Sequence, residues 1–234
     1  MIPKIIHQTS KTKCLAWEER HLLARARKIM PDYEFRLHDD SDNLKLMREY
    51  FPEHVDKYQR ISKGVAKADV ARLVYMYAFG GWYCDTDYRW IIPPLQGIEG
   101  KFPEGCKCVL PVSRERDGVP TKLGNAVFGS EPKYHFWKAC IDHIFTSDEL
   151  FDLKENRIEQ VTGPDGLSEF YFAHHNDFSG IYLPEKTMFH PTVGTLTAKV
   201  QPHTIGIHYC WAHWRTGSVK ELRNKLRRKI TALL

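Results

Sequence analysis

Residues 62–89 read SKGVAKADVARLVYMYAFGGWYCDTDYR, and this stretch decides the fold. Apolar side chains recur at helical spacing up to Phe79, which predicts a helix over residues 62–79. Gly80-Gly81 predicts its end, because glycine readily adopts the left-handed conformation that terminates helices. The apolar residues that follow predict a short strand over residues 82–85. The acidic triplet Asp85-Thr86-Asp87 therefore lies at the C-terminal end of a buried strand.

The segments before this stretch predict a β-α-β unit. Residues 4–9 and 33–38 have strand patterns, and residues 15–30 between them have the apolar spacing of a helix. Strand, helix, strand in this order predicts a parallel sheet. Later patterns predict strands at 108–112, 125–129, 181–183 and 205–209, and helices at 132–145 and 165–175. We therefore predict one α/β domain over residues 1–217, with a Rossmann-like, mostly parallel central sheet flanked by helices.

The last segment, residues 218–234, predicts a basic amphipathic helix. Ser218 and Glu221 form a capping box at its start, and one apolar stripe is surrounded by lysine and arginine. Such a helix either docks on the domain or lies on an anionic membrane surface.

Composition narrows the class of protein. Of the 234 residues, 42% are hydrophobic and 27% charged, as in an ordinary globular domain. The net charge of +5 suits an anionic ligand, but no nucleic-acid-binding motif accompanies it, so we expect no nucleic-acid partner. Six scattered cysteines without zinc-site spacing indicate reduced thiols. The sequence has no signal segment and no run long enough to span a membrane. We therefore expect either a cytoplasmic protein, which can bind peripherally to the inner face of a membrane, or a fragment without its anchor.

The acidic triplet is the first candidate site. Residues two apart in a strand point the same way, so Asp85 and Asp87 converge at the sheet edge where open α/β sheets bind ligands. Two carboxylates suit a hard cation, Mg²⁺ or Mn²⁺, that completes its shell with diphosphate oxygens. Asp69 and Arg72 lie on one face of the preceding helix. They form either a simple ion pair or a grip on sugar hydroxyls and phosphate.

Three motifs together resemble glycosyltransferase family 32. They are Ile2-Pro3-Lys4-Ile5-Ile6-His7-Gln8-Thr9, then Ala68-Asp69-x-x-Arg72, then Leu73-x-x-x-Tyr77-x-x-Gly80-Gly81-x-Tyr83-x-Asp85-x-Asp87. The resemblance implies a GT-A fold, a nucleotide-sugar donor, a Mn²⁺ or Mg²⁺ ion and retention of anomeric configuration. The acceptor would be a glycan or a lipid-linked oligosaccharide, in the synthesis of bacterial surface polysaccharide or capsule.

The resemblance also implies roles for individual residues. His7, Gln8 and Thr9 would line the nucleotide pocket, and Asp69 and Arg72 would hold the donor sugar beside Tyr83. Asp85 would contact ribose, sugar or metal, and Asp87 would bind the metal directly. Asn125 matches a position near the transferred sugar, and Gly163 and Asp165 fall in a loop near the acceptor. Arg72, Asp85, Asp87 and Asn125 are thus the expected catalytic residues.

The C-terminal motif leaves one metal ligand open. Residues 208–214 read HYCWAHW, and His213 stands where the family more often has serine. The third ligand is therefore either His208 or His213, and an imidazole favours Mn²⁺ over Mg²⁺. Trp214 would cap the nucleotide.

Two other functions compete with sugar transfer. A phosphohydrolase also uses an Asp-x-Asp pair, although usually after the first strand of its sheet. A non-catalytic nucleotide-sugar or carbohydrate-binding module on the same fold is the main alternative. Members of the resembled family use UDP- and GDP-sugars, and for the donor we expect a UDP-sugar rather than GDP-mannose.

Overall fold

The computed structural model describes residues 1–194, 198–211 and 228–233. At its centre is a six-stranded sheet in the order β2-β1-β3-β8-β5-β9. Two further two-stranded sheets pair β4 with β10 and β6 with β7. The strands are β1 (Ile5–Thr9), β2 (Glu34–His38), β3 (Gly81–Cys84), β4 (Tyr88–Trp90), β5 (Cys108–Val109), β6 (Val112–Arg116), β7 (Val119–Leu123), β8 (Val127–Ser130), β9 (Ile181–Tyr182) and β10 (Gly206–His208).

Helices cover the sheet and connect its strands. They are α1 (Trp17–Ile29), α2 (Asp40–Tyr50), α3 (Val55–Arg60), α4 (Gly64–Phe79), α5 (Pro94–Gly97), α6 (His135–Ile144), α7 (Ile158–Val161), α8 (Pro164–His174) and α9 (Lys186–Phe189). Residues 228–233 are also helical, and Ala232 is buried there. The rest of the predicted C-terminal helix, residues 218–227 and 234, lies outside the described residues, so its boundary with the domain stays a prediction.

The mostly parallel α/β sheet is confirmed. β1 pairs in parallel with β2 and β3, and β5 pairs in parallel with β9. Only β8 opposes its neighbours, β3 and β5. The predicted strand at 108–112 is instead two elements, β5 and the start of the β6–β7 hairpin, because the chain leaves the sheet after Val109.

Helix α4 forms the middle of the main core. Its residues are buried on nearly every side, including the charged pair Asp69 and Arg72. The helix ends at Gly80 as predicted, and Gly80 and Gly81 have φ angles of 63° and 85°. A side chain on Gly81 would lie 2.7 Å from the carbonyl oxygen of Ile5. This corner therefore requires glycine, and it delivers the chain directly into β3.

The small β4–β10 sheet brings the end of the chain to the acidic triplet. β4 begins one residue after Asp87 and runs antiparallel to β10, with Tyr88 opposite His208. The sequence did not predict β4. None of the described helices combines the length and apolarity needed to cross a membrane.

Candidate active site

The Asp85-Thr86-Asp87 turn follows β3 and is held by backbone and side-chain bonds. The amide of Asp85 donates to the carbonyl of Ala126 at 2.8 Å, and the amide of Tyr88 donates to the carbonyl of Asp85 at 3.0 Å. The side-chain amide of buried Gln8 donates to the same Asp85 carbonyl at 3.2 Å. The turn is thus attached to the strands on both sides of β3.

Three possible metal ligands converge at this turn. Atoms of Asp85, Asp87 and His208 lie within 4.8 Å of one another. His208 Nε2 is 3.2 Å from Asp87 Oδ1 and 3.6 Å from Asp85 Oδ2. Neighbouring ligands of an octahedral ion at 2.0–2.1 Å are separated by about 3 Å, so this arrangement fits a Mg²⁺- or Mn²⁺-sized cation. Of the two histidines left open by the sequence, His208 joins the carboxylates, while His213 lies outside the described residues.

The segment after β10 is attached to Asp87 and to His208. The amide of Trp211 donates to Asp87 Oδ2 at 2.6 Å, which turns the other oxygen of Asp87 towards His208. Cys210 Sγ lies 3.3 Å from His208 Nδ1. Burial by itself would lower the pKa of His208, but Asp87 and Cys210 outweigh it and raise the pKa well above 6.5.

Arg72 lies between two carboxylates on the other side of the turn. Its guanidinium is 3.1 Å from Asp69 Oδ1 and 3.3 Å from Asp85 Oδ1, and Nη1 donates to the carbonyl of Asn125 at 2.6 Å. It also lies 4.6 Å from the ring centre of Tyr83, whose hydroxyl donates to Asp85 Oδ1 at 2.6 Å. Burial opposes the charge on Arg72, but Asp85, Tyr83 and Asp69 raise its pKa overall, so it stays cationic.

Asp69 is the most enclosed carboxylate of the site. It accepts bonds from the Asn125 side-chain amide and the Thr162 hydroxyl, both at 3.0 Å, in addition to its ion pair with Arg72. Burial raises its pKa to about 7 against the opposing effects of Arg72, Thr162 and Asn125. Three segments of the chain therefore meet on one carboxylate and form a rigid wall.

These groups line one open cleft of about 510 Å³. Its walls come from the ends of β1 and β3, from α4, from the loop before α8, and from the residues around β10. Among the described residues, the carboxylates in the wall outnumber the one arginine, Arg72; they are Glu19, Asp69, Asp85, Asp87 and Glu159. The cleft is thus suited to a cation together with a polar ligand.

Most of the predicted site residues lie in this cleft. The predicted residues that line it are Thr9, Asp69, Arg72, Tyr83, Asp85, Asp87, Asn125, Gly163 and His208, and their roles stay predictions. Trp214, like His213, falls outside the described residues.

His7 does not line the cleft, contrary to the prediction. It is fully buried and stacks with His38, Tyr75 and Phe79. Its Nε2 donates to the carbonyl of Gly80 at 3.1 Å, while Nδ1 lies 3.0 Å from His38 Nε2. The prediction was wrong because the middle of β1 is covered by α4, so that only its last residue, Thr9, reaches the cleft.

Gln8 and Asp165 support the cleft rather than line it. Gln8 holds the backbone of Asp85, as described above. Asp165 forms an ion pair with Lys122 at 2.6 Å and is not part of the wall. In its place Gly163 and Pro164, at the N-terminal end of α8, line the cleft.

Sequence reasoning missed Glu19 and the role of Thr86. The Thr86 hydroxyl donates to Glu19 Oε1 at 2.7 Å, and Glu19 Oε2 accepts from the amide of Ala16 at 2.8 Å. Glu19 therefore joins the start of α1 to the middle of the acidic triplet. The only sequence signal was an acidic residue in the first helical turn, which is common at any helix start.

Comparison with known proteins gives the same assignment. A family model described as a glycosyltransferase sugar-binding region containing a DXD motif matches residues 17–97, which include α4 and the acidic triplet. In this region the chain is therefore similar to the DXD-containing glycosyltransferases.

The curated relatives are fungal. A mannosyl phosphorylinositol ceramide synthase of Saccharomyces cerevisiae is 26% identical over 168 residues, which is 72% of this chain and 41% of the relative. An inositol phosphoceramide mannosyltransferase of Schizosaccharomyces pombe is 27% identical over 174 residues, 72% of this chain and 46% of the relative. The chain thus spans less than half the length of these two proteins.

Solved structures support the fold. A structure described as PaToxG glycosyltransferase is 20% identical, covers 74% of this chain and 70% of its own, and has a TM-score of 0.55. Mouse xyloside xylosyltransferase 1 is 10% identical, covers 90% and 98% respectively, and has a TM-score of 0.52. The chain thus has the GT-A fold of these two structures.

Proposed function

We propose that this glycosyltransferase moves a sugar from a nucleotide diphosphate to an acceptor hydroxyl with the help of a divalent cation. The observation that carries the proposal is the convergence of Asp85, Asp87 and His208 in a cleft whose adjacent wall holds Arg72. The carboxylates and imidazole suit a cation, and Mn²⁺ is favoured because imidazole is among them. When bound, such an ion acts as a Lewis acid on the departing diphosphate.

The protein's own groups orient the donor and stabilise charge. Arg72 holds its guanidinium at the cleft in a fixed orientation, because Asp69, Asp85 and the carbonyl of Asn125 keep it in place. A preorganised cation of this kind stabilises negative charge that develops on a leaving group. Asp69 and Asn125, which are bonded to each other, form the wall against which sugar hydroxyls would bind.

We propose retention of configuration without a protein nucleophile. The acceptor oxygen bonds to the anomeric carbon of the donor sugar while the bond between that carbon and the diphosphate oxygen breaks. The electron pair leaves with the diphosphate, and one of its oxygens takes the acceptor proton. The engagement of Asp69 by Thr162, Asn125 and Arg72 supports this scheme, because it leaves that carboxylate poorly placed to attack.

The identity of the donor is a choice between two nucleotides. We propose a UDP-sugar, and the names of the fungal relatives make GDP-mannose the other candidate. For the acceptor we propose a glycan or lipid-linked oligosaccharide in bacterial surface polysaccharide synthesis. The relatives are instead named for a phosphoinositol ceramide, so both classes of acceptor belong in an assay.

The test is nucleotide release from a panel of UDP- and GDP-sugars, with Mn²⁺ or with EDTA. We expect one donor to be turned over only with the metal, and Asp87→Asn to lower the rate by about 100-fold or more. Asp56→Asn, the same change at an exposed site on α3, is the matched control. Metal-dependent nucleotide binding without turnover of any donor, even with acceptors added, would instead support the non-catalytic module.

The cellular location is a separate proposal. We propose that the protein works in the cytoplasm, at the inner face of a membrane that the basic residues of 218–234 contact. Flotation with vesicles of anionic lipid tests this, and binding that is unchanged on deletion of residues 218–234 would contradict it.

A further inference from the structure

A second cavity of about 350 Å³ adjoins the metal-binding end of the cleft. The two spaces share four residues, Asn125, Pro164, His208 and Cys210. The second cavity extends away from them towards the β6–β7 hairpin and α9. A molecule in it would therefore reach Asn125 and His208, which line both spaces, but not Arg72 or Asp69, which line only the first.

The two spaces carry opposite charge. Five carboxylates and one arginine line the first, as described above, whereas the second has no carboxylate among its described lining residues. Its lysines are Lys122 and Lys186, and His208 belongs to its border with the first cleft. Such a division is expected where one space takes a cation with its ligand and the other takes an anionic group.

The two lysines differ in how their charge is used. Lys122 is neutralised by Asp165 at 2.6 Å and Glu159 at 3.4 Å. Lys186 forms no ion pair among the described residues, and its ammonium donates only to the hydroxyl of Thr192, at 3.4 Å. Of the two lysines, Lys186 is therefore the one whose charge is available to a ligand in the cavity.

We infer that this second cavity binds the sugar acceptor, and that Lys186 contacts a phosphate group carried by that acceptor. The inference rests on the proposed function, because it names the acceptor class of that same site. It predicts a phosphorylated sugar or polyol, with the reacting hydroxyl near Asn125 and His208 and the phosphate near Lys186. The preference for a phosphorylated acceptor over a neutral one is electrostatic, so the difference in their affinities should decrease as the salt concentration rises.

The experiment is a calorimetric titration of the protein with matched neutral and phosphorylated ligands. Glucose, mannose and myo-inositol are compared with their monophosphates, in Mn²⁺, both with saturating nucleoside diphosphate in the first cleft and without it. We expect the phosphorylated ligands to bind at least about 10-fold more tightly, which corresponds to about 1.4 kcal/mol. In Lys186→Gln the preference should fall at least about 5-fold, whereas Lys186→Arg retains it. Lys45→Gln, at an exposed position on α2, is the control for loss of one charge.

A second arm separates a soluble phosphate ester from a lipid headgroup. Binding to vesicles that contain phosphatidylinositol is compared with binding to phosphatidylcholine vesicles. Binding that depends on Lys186, either to the soluble phosphate esters or to the phosphatidylinositol vesicles, supports the inference that the second cavity holds a phosphate. Equal affinity for neutral and phosphorylated ligands, a preference that survives Lys186→Gln, or no binding of any ligand would overturn the inference. Failure of the proposed function would be seen separately, because the unmodified protein would then show no metal-dependent binding of the nucleoside diphosphate.

Discussion

We expect Thr86→Val to weaken cation binding although Thr86 is not itself a proposed ligand. Its hydroxyl donates to the Glu19 carboxylate at 2.7 Å and so ties the residue between Asp85 and Asp87 to the start of α1. Hydrogen bonds to charged groups contribute about 1.5–3 kcal/mol, and valine preserves the side-chain shape while it removes the bond. Because the Ala16 amide still contacts Glu19 after the change, we take the lower end, about 1.5 kcal/mol.

If that energy holds the two carboxylates in position, its loss raises the Mn²⁺ concentration for half-maximal activity by about 10-fold. The assay is a Mn²⁺ titration of nucleotide release, or of nucleotide binding. Thr86→Ser keeps the hydroxyl and should stay near the wild-type value. Thr146→Val is the control, since it removes a threonine hydroxyl bonded to a backbone carbonyl at an exposed site. An unchanged Mn²⁺ requirement in Thr86→Val, or equal damage in Thr86→Ser, would refute the reasoning.

Three further predictions concern stability. Arg72→Met should lower the free energy of unfolding, measured in urea titrations, by about 3 kcal/mol or more. The change leaves the carboxylates of Asp69 and Asp85 without their cationic partner. A smaller loss would mean that water replaces the guanidinium. Burial lowers the pKa of His38 to about 4 and lowers that of His7 as well, so the unfolded chain binds protons more readily from pH 6.5 down to pH 4. Between pH 7 and pH 5, His38 alone should therefore reduce the unfolding free energy by about 2 kcal/mol, and His38→Gln should flatten this dependence. Gly81→Ala should lower the free energy of unfolding by more than the about 1–2 kcal/mol expected for an alanine in the left-handed conformation, because its methyl group would collide with Ile5. Thermal melts compare it with Gly100→Ala, which is also at positive φ but where the added methyl group would have no neighbouring atoms.

The fold was largely predictable because its decisive signals are local. The helical spacing before Gly80, the glycine corner and the strand into Asp85 depend only on neighbouring residues. The β6–β7 hairpin was not predicted, because its strands are mostly exposed and lack an apolar alternation. β4 was missed because it is short and exists through its pairing with β10.

The candidate site was predictable where its residues follow the ends of strands or share a helical face. Asp69 with Arg72, and Asp85 with Asp87, are close together for reasons of spacing alone. The error at His7 has the opposite cause. Strand alternation says which residues share a side of β1, but not how far α4 covers that side.

The sequence alone determined that Asp85 and Asp87 follow the end of a buried strand, and that the preceding helix carries Asp69 and Arg72 on one face. Only the tertiary structure decided that His208 completes the pair, that Glu19 supports it through Thr86, and that Lys186 faces a second cavity. The physical reason is that these contacts join segments distant along the chain. Backbone periodicity determines which way a side chain points, whereas the packing of helices and strands determines which group it meets there.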